Sequence, residues 1–464
     1  MDQDILALLL DPGMGKTAIC YEDFYRKREE CYASRALVTA PLRPCYSVWP
    51  AEAKKWEQFA DIDVRVIHGK GRTVENINAA EVAVINPEGL KWLEANRSSI
   101  KPFDTLYADE STMFKHVGSQ RSRCMNRINI GLVQKARKRI WSISRRFLLT
   151  GTPAPNGLGD LYAQYGLLDQ SILGSSLQKF RSDFWFMPRF TDHGVKWEAS
   201  EKTGPLLFER IAPWSVRLNA TDHLDLPELV SVETKVQLPD KVRGLYKKLR
   251  EEMYVELKKG DLVALNAGVL SAKCKQVANG QVYLSQIGEV VENETKKVQH
   301  LHDAKTSALA DLWDENGQNP MLVVFEHNHE IDAIRAYFKK RYGWEPPFIN
   351  GSISGPEGLR LEQEWNAGNL PMLCAHPVTV ARGLNLQAGG NHVVWFSITW
   401  DLELYQQLIA RLWRQGQESA RVFVHHIVCQ GTVDTTIMRA LASKALEQDE
   451  LFQYLEEDFL AEAA

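Results

Sequence analysis

The sequence has little that would direct a chain to a membrane, an oxidising compartment or a zinc ion. Its seven cysteines are scattered singly along 464 residues, and no two are spaced as C-x-x-C, a pattern that favours reduced thiols. The first residues, MDQDILALLL, carry acids where a signal peptide needs basic residues. The apolar runs fall far short of the roughly 20 residues that span a bilayer. We therefore expect a soluble, cytoplasmic protein with no membrane partner.

The chain also lacks an overall excess of basic charge. Its formal net charge is −4, so no global field indicates a nucleic-acid partner. The charge is uneven, however, because ten Lys or Arg residues and no Asp or Glu lie between Lys115 and Arg146. Such a stretch is typical either of a solvated helix face or of a surface that faces a polyanion, and both alternatives stay open.

Internal repeats and low-complexity segments are absent, and short apolar runs alternate with longer helical stretches. This alternation predicts an α/β fold of parallel sheets with helical crossovers. Candidate strands in the first half are ILALLL, RALVTA, VRVIH, VAVIN, FDTLYAD and RRFLLTG, and in the second half PMLVVF, EPPFING, LPMLCAH, HVVWFS and ARVFVHHIV.

The length indicates more than one domain, because 464 residues exceed one ordinary hydrophobic core. Residues 170–300 interrupt the alternation with aromatic and charged residues, and DKVRGLYKKLREEMYVELKKG reads as one amphipathic helix. We predict two α/β lobes, 1–223 and 224–464, joined through a mainly helical middle segment, with the boundary near LDLPELV.

The string LLLDPGMGKT, residues 8–17, has the composition of a strand that runs into a phosphate-binding loop. Gly13 and Gly15 allow the backbone to approach a phosphate, Lys16 supplies charge, and Thr17 supplies a hydroxyl for Mg²⁺. The first glycine of the usual pattern is replaced by Leu10. An ordinary glycine-rich turn before a helix is the alternative.

A second motif, FDTLYADEST, places Asp109 and Glu110 at the end of a predicted buried strand. Ligand-facing residues of a parallel sheet lie at that end. Asp109 is therefore a candidate ligand of Mg²⁺, and Glu110 is a candidate for orienting the attacking water. The alternative is that the acidic pair is only part of a surface turn.

Two further stretches carry groups suited to nucleotide chemistry. RRFLLTGTPAPN ends an apolar run with small hydroxyl residues, which also suit an ordinary turn. In LYQQLIARLWRQGQ, Arg411 and Arg414 are three apart on a predicted helix and would share one face. Guanidinium groups are the favoured clamp on a developing γ-phosphate charge, but helical arginine pairs are commonly solvated.

Taken in order, the motifs GMGKT, LVTAPL, VINPEGL, DEST, LLTGTP, ARGLNLQ and QQLIARLWRQGQ resemble the series of superfamily 2 helicases. The ending Arg-x-x-Arg-x-Gly-Gln is the form of the Swi/Snf-type branch. The resemblance covers residues 8–445, and HPVTVARGLNLQAGG is similar to bacteriophage and bacterial members. If the chain is viral, its expected location is the host cytoplasm.

The resemblance implies two RecA-like lobes that bind ATP and Mg²⁺ in the cleft between them. It assigns ATP or Mg²⁺ contacts to Gly13, Gly15, Lys16, Thr17, Asp109 and Glu110 from the first lobe and to Gly383, Asn385, Gln407, Arg411 and Arg414 from the second. Relatives of this branch are usually double-stranded DNA translocases. We therefore expect an ATP-dependent DNA translocase or helicase.

The same resemblance suggests the DNA contacts, which would fall mainly on phosphates because the enzyme must move along any sequence. Motif matches point to Pro41, Thr152 and Thr379. The basic stretch from Arg121 to Arg139, which includes Arg123, then becomes a candidate nucleic-acid surface. No protein partner is indicated.

The sequence departs from the family at three places. Thr112 stands where many relatives have a histidine, although a threonine can still donate a hydrogen bond. Val380, Ala381 and Arg382 stand where relatives tend to have small residues. The family places an adenine-recognising glutamine and helix before the phosphate loop, and Gln3 lies too close to the loop for that role.

These departures leave two alternatives to a translocase. Without the adenine-recognising segment, the chain could be a degenerate, non-hydrolysing DNA-binding module. A third possibility is a strand-separating helicase of superfamily 2 with similar chemistry.

Overall fold

A computed structural model describes residues 3–129, 132–133, 138–139, 141–191, 194–258, 263–283, 298–353, 355–380 and 384–447. The chain divides into two compact units, and the statements below apply to their described residues. The first unit comprises Met1–Met187, Trp197–Leu224 and Lys444–Ala464, and the second comprises Pro188–Lys196 and Asp225–Ser443. Within the described ranges, no helix combines the length and the apolar character needed to cross a membrane.

The elements follow one another in the alternating order that the sequence predicts. The strands are β1 (Ile5–Leu10), β2 (Ala36–Thr39), β3 (Val64–Val66), β4 (Val82–Ile85), β5 (Thr105–Asp109), β6 (Leu132–Val133), β7 (Lys138–Arg139), β8 (Arg145–Thr150), β9 (Phe186–Thr191), β10 (Gly194–Ala199), β11 (Ser215–Leu218), β12 (Glu228–Val236), β13 (Gln281–Tyr283), β14 (Val298–His300), β15 (Met321–Val324), β16 (Phe348–Ile349), β17 (Met372–Ala375), β18 (His392–Trp395) and β19 (Arg421–Cys429). The helices are α1 (Lys16–Glu29), α2 (Leu42–Ser47), α3 (Trp49–Lys55), α4 (Val74–Ala79), α5 (Leu90–Ala95), α6 (Gln120–Asn129), α7 (Leu161–Leu168), α8 (Leu177–Asp183), α9 (Thr203–Ile211), α10 (Ala220–His223), α11 (Asp240–Lys258), α12 (Val263–Ala278), α13 (Ala304–Glu315), α14 (Asn328–Tyr342), α15 (Gly355–Asn366), α16 (Pro377–Val380) and α17 (Leu402–Ile409). Residues 433–447 are also helical.

The first unit contains a sheet of order β11-β1-β8-β5-β2-β4-β3, in which every pair of neighbouring strands is parallel. Because the strands are parallel, their carboxyl ends share one edge of the sheet. The residues that follow β1, β2, β5 and β8 therefore meet at that edge, and all four of these strands precede a motif of the sequence analysis.

Apolar residues cover both faces of this sheet, as a parallel sheet with helices on each side requires. On β1, Leu6, Leu8 and Leu10 belong to one buried cluster, whereas Ala7 and Leu9 belong to another. The side chains of a strand alternate between faces, so a run without polar residues is the pattern of a strand buried on both sides. This burial fixes the position of the loop that follows β1.

The second unit contains a sheet of order β12-β19-β18-β15-β17-β16, again with parallel neighbours. A fully buried ion pair joins α13 to the helical residues 433–447: Lys305 Nζ lies 2.6 Å from Asp434 Oδ2. The same amine donates to Asn279 Oδ1 at 2.7 Å and to the carbonyl of Phe396 at 3.0 Å. A buried ammonium group is stable only when its donors are taken up in this way.

A buried histidine pair lies on neighbouring strands of the second sheet. His392 Nδ1 and His425 Nε2 are hydrogen-bonded at 3.0 Å, and the His392 ring stacks on Phe423. Burial, together with the nearby His425, lowers the pKa of His392 from 6.5 to about 4. The folded state therefore binds fewer protons than the unfolded chain between pH 6.5 and pH 4.

We expect the free energy of unfolding of the second unit to decrease as the pH falls from 6.5 towards 4. Full protonation of His392 would cost roughly 3 kcal/mol, because its pKa falls from 6.5 to about 4. The substitution H392F should weaken this dependence, to which His329 and His426 also contribute because burial lowers the pKa of each to about 4. H116Q, at an exposed histidine, should leave it unchanged. Urea unfolding at a series of pH values measures the effect, and equal slopes for H392F and the unmodified protein would contradict it.

Eight of the described strands, β6, β7 and β9–β14, lie where the sequence analysis expects no strand, and two of them belong to the large parallel sheets. β11 and β12 both fall in the middle segment, and each forms an edge strand of one parallel sheet. The residues of β12 alternate between exposed and partly buried positions, as expected for a strand covered on one face only. Continuous apolar runs indicate strands that are buried on both faces, so they do not indicate a strand such as β12 that is covered on one face only.

Candidate nucleotide site

The phosphate loop occupies the turn between β1 and α1. Gly13 and Gly15 have φ angles of +88° and +73°, in the left-handed region that favours glycine. Gly15 directly precedes α1, which begins at Lys16 and is 14 residues long. The loop therefore brings exposed backbone to a helix N-terminus, where N–H groups and the helix dipole favour an anion. Thr17 follows in the first turn of this helix.

The amine of Lys16 lies against the backbone of the preceding loop and within the field of the acidic pair. Its Nζ donates to the carbonyl of Leu10 at 2.7 Å and to that of Asp11 at 3.1 Å. Burial lowers the pKa of Lys16, and the charges of Glu110 and Asp109 oppose this shift. Lys16 and both predicted carboxylates are thus grouped at one edge of the first sheet.

Asp109 is the last residue of β5, and both of its carboxylate oxygens accept hydrogen bonds. Trp49 Nε1 donates to Oδ2 at 3.0 Å, and the backbone N–H of Glu110 donates to Oδ1 at 3.1 Å. Burial raises the pKa of Asp109, and the bond from Trp49 and the charge of Lys16 oppose the rise. These contacts orient a carboxylate that could hold a divalent cation.

Glu110 has a left-handed backbone conformation, with a φ angle of +50°. For a residue with a Cβ atom this conformation costs about 1–2 kcal/mol, and such outliers cluster at functional sites. The conformation turns the chain sharply between β5 and the short 3-10 helix Ser111–Phe114. The sequence predicts a role for Glu110 but does not indicate its left-handed backbone conformation.

Trp49 is a site residue that the sequence analysis misses. It begins α3, and its carbonyl accepts a hydrogen bond from Tyr21 at 2.9 Å. Nothing in the stretch around Trp49 indicates an indole aimed at a carboxylate 60 residues later.

If Asp109 binds Mg²⁺, we expect W49F to raise the Mg²⁺ concentration for half-maximal ATP hydrolysis by about tenfold. Phenylalanine keeps the ring but removes one hydrogen bond to a charged group, which is worth about 1.5–3 kcal/mol. The matched control is W56F, because Trp56 Nε1 donates to Glu52 in the same way at 2.8 Å on the exposed side of α3. Equal Mg²⁺ dependence in W49F and W56F would contradict the expectation.

Gln164 connects the acidic motif to the TGTP motif. Its Oε1 accepts from Ser111 Oγ at 2.7 Å, and its Nε2 donates to the carbonyl of Pro153 at 2.6 Å. A Cβ atom on Gly151 would lie 3.2 Å from the carbonyl of Leu10, so the TGTP turn also packs closely against the phosphate loop. Gln164 lies in α7, outside every motif, and sequence reasoning had no signal for it.

The prediction that Arg411 and Arg414 share the face of one helix is wrong. The helix α17 ends at Ile409, and both arginines follow in tight turns. The N–H of Arg411 bonds three residues back rather than four, which ends the α-helical ladder. Gln417 Nε2 then donates to the carbonyl of Leu412, at 3.3 Å, and holds the turn.

The turns nevertheless bring together three residues that the sequence assigns to ATP. Arg414 Nη1 donates to Asn385 Oδ1 at 2.6 Å, and Arg411 Nη1 lies 3.4 Å from the carbonyl of Leu384. Burial lowers the pKa of Arg414. Gln407 is buried and donates to Glu403 at 3.2 Å. Gly383 lies outside the described residues.

The predicted nucleic-acid residues differ in their exposure. Pro41 and Thr152 are buried, and the Thr152 hydroxyl has no hydrogen-bond partner among the described residues. Thr379 is partly exposed in α16. Arg121 and Arg123 are both exposed on α6. Side chains 130–140 of the basic stretch lie outside the described part.

Residues 5–288 match the family description "SNF2-related domain", and residues 304–416 match "Helicase conserved C-terminal domain". The first match covers more than half of the chain. The chain belongs to the SNF2-related family. The predicted Swi/Snf-type membership is therefore confirmed, and so is the α/β fold of two RecA-like lobes, to which the two parallel sheets correspond.

Relatives of this SNF2-related chain include a phage protein of similar length. Protein p41 of Acyrthosiphon pisum secondary endosymbiont phage 1 is 35% identical over 95% of this chain and 93% of its own. YwqA of Bacillus subtilis (strain 168), whose name places it among ATP-dependent helicases/translocases, is 24% identical over 96% of this chain. The match covers only 46% of YwqA.

A solved structure of the Sulfolobus solfataricus SWI2/SNF2 ATPase core in complex with dsDNA is 19% identical to the chain, with a TM-score of 0.42. The match covers 99% of this chain and 91% of the Sulfolobus solfataricus chain.

Proposed function

We propose that the chain hydrolyses ATP with Mg²⁺ and uses the energy to move along or remodel DNA. The observation that carries this proposal is the grouping of Lys16, Asp109 and Glu110 at the carboxyl edge of the first sheet. A cation beside a helix N-terminus and a partly buried carboxylate pair is the chemistry that a nucleoside triphosphate and a divalent cation require.

The residues of the first lobe fit ATP and Mg²⁺. The left-handed glycines leave open space where a Cβ atom would stand, which lets phosphate oxygens reach the backbone. Lys16 binds the terminal phosphates, Thr17 and Asp109 hold the metal, and Glu110 orients the attacking water. Bound Mg²⁺ supplies charge neutralisation of the phosphates.

We propose that residues of the second lobe take part in the same reaction. Arg411 and Arg414 stabilise the charge that develops on the transferred phosphate, as guanidinium groups do in this chemistry. Asn385, which accepts a hydrogen bond from Arg414, and the buried Gln407 are proposed to contact ATP. Gly383, which lies outside the described residues, is proposed to contact ATP only on the ground of its motif.

We propose double-stranded DNA as the partner, contacted through phosphates by Arg121, Arg123, Thr379 and the backbone near Pro41 and Thr152. The exposure of both arginines on α6 supports this assignment. One relative, ZRANB3 of Homo sapiens, is named a DNA annealing helicase and endonuclease and is 25% identical over 93% of this chain. The chain spans 37% of that protein, so its other activities are not transferred.

The test is steady-state ATP hydrolysis by the full chain without nucleic acid and with duplex DNA, single-stranded DNA or RNA. We expect stimulation by duplex DNA. Duplex binding without hydrolysis would instead support a degenerate DNA-binding module. Displacement of a labelled strand in a parallel assay would indicate a strand-separating helicase.

A further inference from the structure

An acidic side chain lies beside the phosphate loop, where it would oppose an anionic ligand. Asp11 directly follows β1 and precedes both loop glycines. Its charge is felt by Lys16, because it acts to raise the pKa of that amine. A carboxylate so near a phosphate site repels phosphate unless another group neutralises it.

Arg217 neutralises this carboxylate from the neighbouring strand β11. Its Nη1 lies 2.7 Å from Asp11 Oδ1 and donates to the carbonyl of Leu9 at 2.9 Å. Leu9 and Arg217 are register partners in the parallel pair of β1 and β11. The guanidinium group is therefore held by the strand that carries the loop.

The second oxygen of the same carboxylate is also occupied. Asp11 Oδ2 accepts from the backbone N–H of Ala220 at 2.9 Å. The Arg217 side chain is only 3% exposed, and that of Asp11 is 25% exposed. Both carboxylate oxygens of Asp11 thus bond to residues 217–220, which are distant from the loop glycines in the sequence. The ion pair of Asp11 and Arg217 is largely shielded from water.

We propose that Arg217 is a positioning residue of the nucleotide site, which neutralises Asp11 so that the phosphate loop can accept ATP. The inference rests on the proposed function for the identity of the ligand. It makes residues 217–220 part of the phosphate site, although they lie about 200 positions after it.

The first test is the substitution R217Q, which leaves the charge of Asp11 without its partner. We expect the Kd for ATP, measured by calorimetry on the full chain with Mg²⁺, to rise by at least about tenfold, the loss of one charge-assisted contact. The double variant D11N/R217Q carries neither charge and should return to within about threefold of the unmodified protein. A purely structural role of Arg217 would leave the double variant as weak as R217Q.

A milder variant avoids the removal of a buried side chain. A220P deletes only the N–H that binds Asp11, and proline fits there because Ala220 is the first residue of α10. Asn219, with φ −83° and ψ 137°, already has the conformation that precedes a proline. We expect A220P to weaken ATP binding by about threefold, less than R217Q, with an unchanged Tm.

The matched control is E81Q. Glu81 also bridges an arginine and a backbone N–H, since it lies 3.5 Å from Arg28 Nη1 and accepts from the N–H of Asp63 at 2.8 Å. Glu81 directly precedes β4, at the amino end of its sheet, so E81Q should not change the Kd.

An unchanged Kd in R217Q, or a double variant no tighter than R217Q, would overturn the proposal. ATP binding without hydrolysis in the unmodified protein would contradict the proposed function but leave this inference testable. Absence of ATP binding in the unmodified protein would overturn both.

Discussion

Replacing Lys16 with alanine is expected to reduce DNA-stimulated ATP hydrolysis by at least about 10²–10³-fold. The Lys16 amine is the cation that the first lobe places beside the phosphate loop, within the field of Asp109 and Glu110. Loss of one group that stabilises developing charge in a shielded site has effects of this size. The measurement is the steady-state rate of phosphate release at saturating duplex DNA.

The control for this experiment is K91A, which removes an exposed lysine of α5 in the same unit. It should hydrolyse ATP at the unmodified rate. A K16A variant that retains its activity would remove Lys16 from the mechanism and, with it, the assignment of residues 8–17 as a phosphate loop.

The second large effect concerns stability. We expect K305M to lower the free energy of unfolding of the second unit by about 3–5 kcal/mol, because it leaves the fully buried Asp434 without a counter-charge. The Asp434 Oδ2 atom also accepts from the N–H of Cys429 at 2.9 Å, so the carboxylate cannot turn towards water without losing a second bond. Urea unfolding measures the change.

Two comparisons isolate the buried charge as the cause. R421M breaks the ion pair of Arg421 with Glu228, whose side chains are both 61% exposed, and should have little effect. K305M/D434N removes both charges and should recover part of the loss. A K305M midpoint equal to that of R421M would show that the buried pair does not stabilise the unit.

The sequence predicts a role for residues whose signal lies in their neighbours along the chain. The phosphate loop is readable because its glycines, Lys16 and Thr17 are contiguous and follow an apolar strand. Asp109 and Glu110 are readable because a buried strand ends in two acids. The order of such motifs then predicts the family and the two RecA-like lobes, and the family matches confirm both.

Residues that reach the site from a distance could not be predicted in this way. Trp49, Gln164 and Arg217 lie in stretches with no local signal, and their contacts are hydrogen bonds or an ion pair with residues far away in the sequence. The error at Arg411 and Arg414 has a different origin. A helical pattern continues past Ile409 in the sequence, whereas side-chain bonds from Gln417 stabilise turns instead.

The position of β1 in the first sheet has a consequence for how this unit forms during synthesis. Its neighbours among the described strands are β8 and β11, so β1 pairs with strands that begin much later in the chain, at Arg145 and Ser215. Pairings of such large sequence separation form slowly, because the entropy of closing a long loop is lost before any contact is gained. β1 therefore has no partner strand on the nascent chain until β8 has left the ribosome, and its second partner follows only with β11, which leaves a window for chaperone binding or aggregation. The phosphate loop follows β1, so it reaches its final position only after β8 and β11 have paired with that strand.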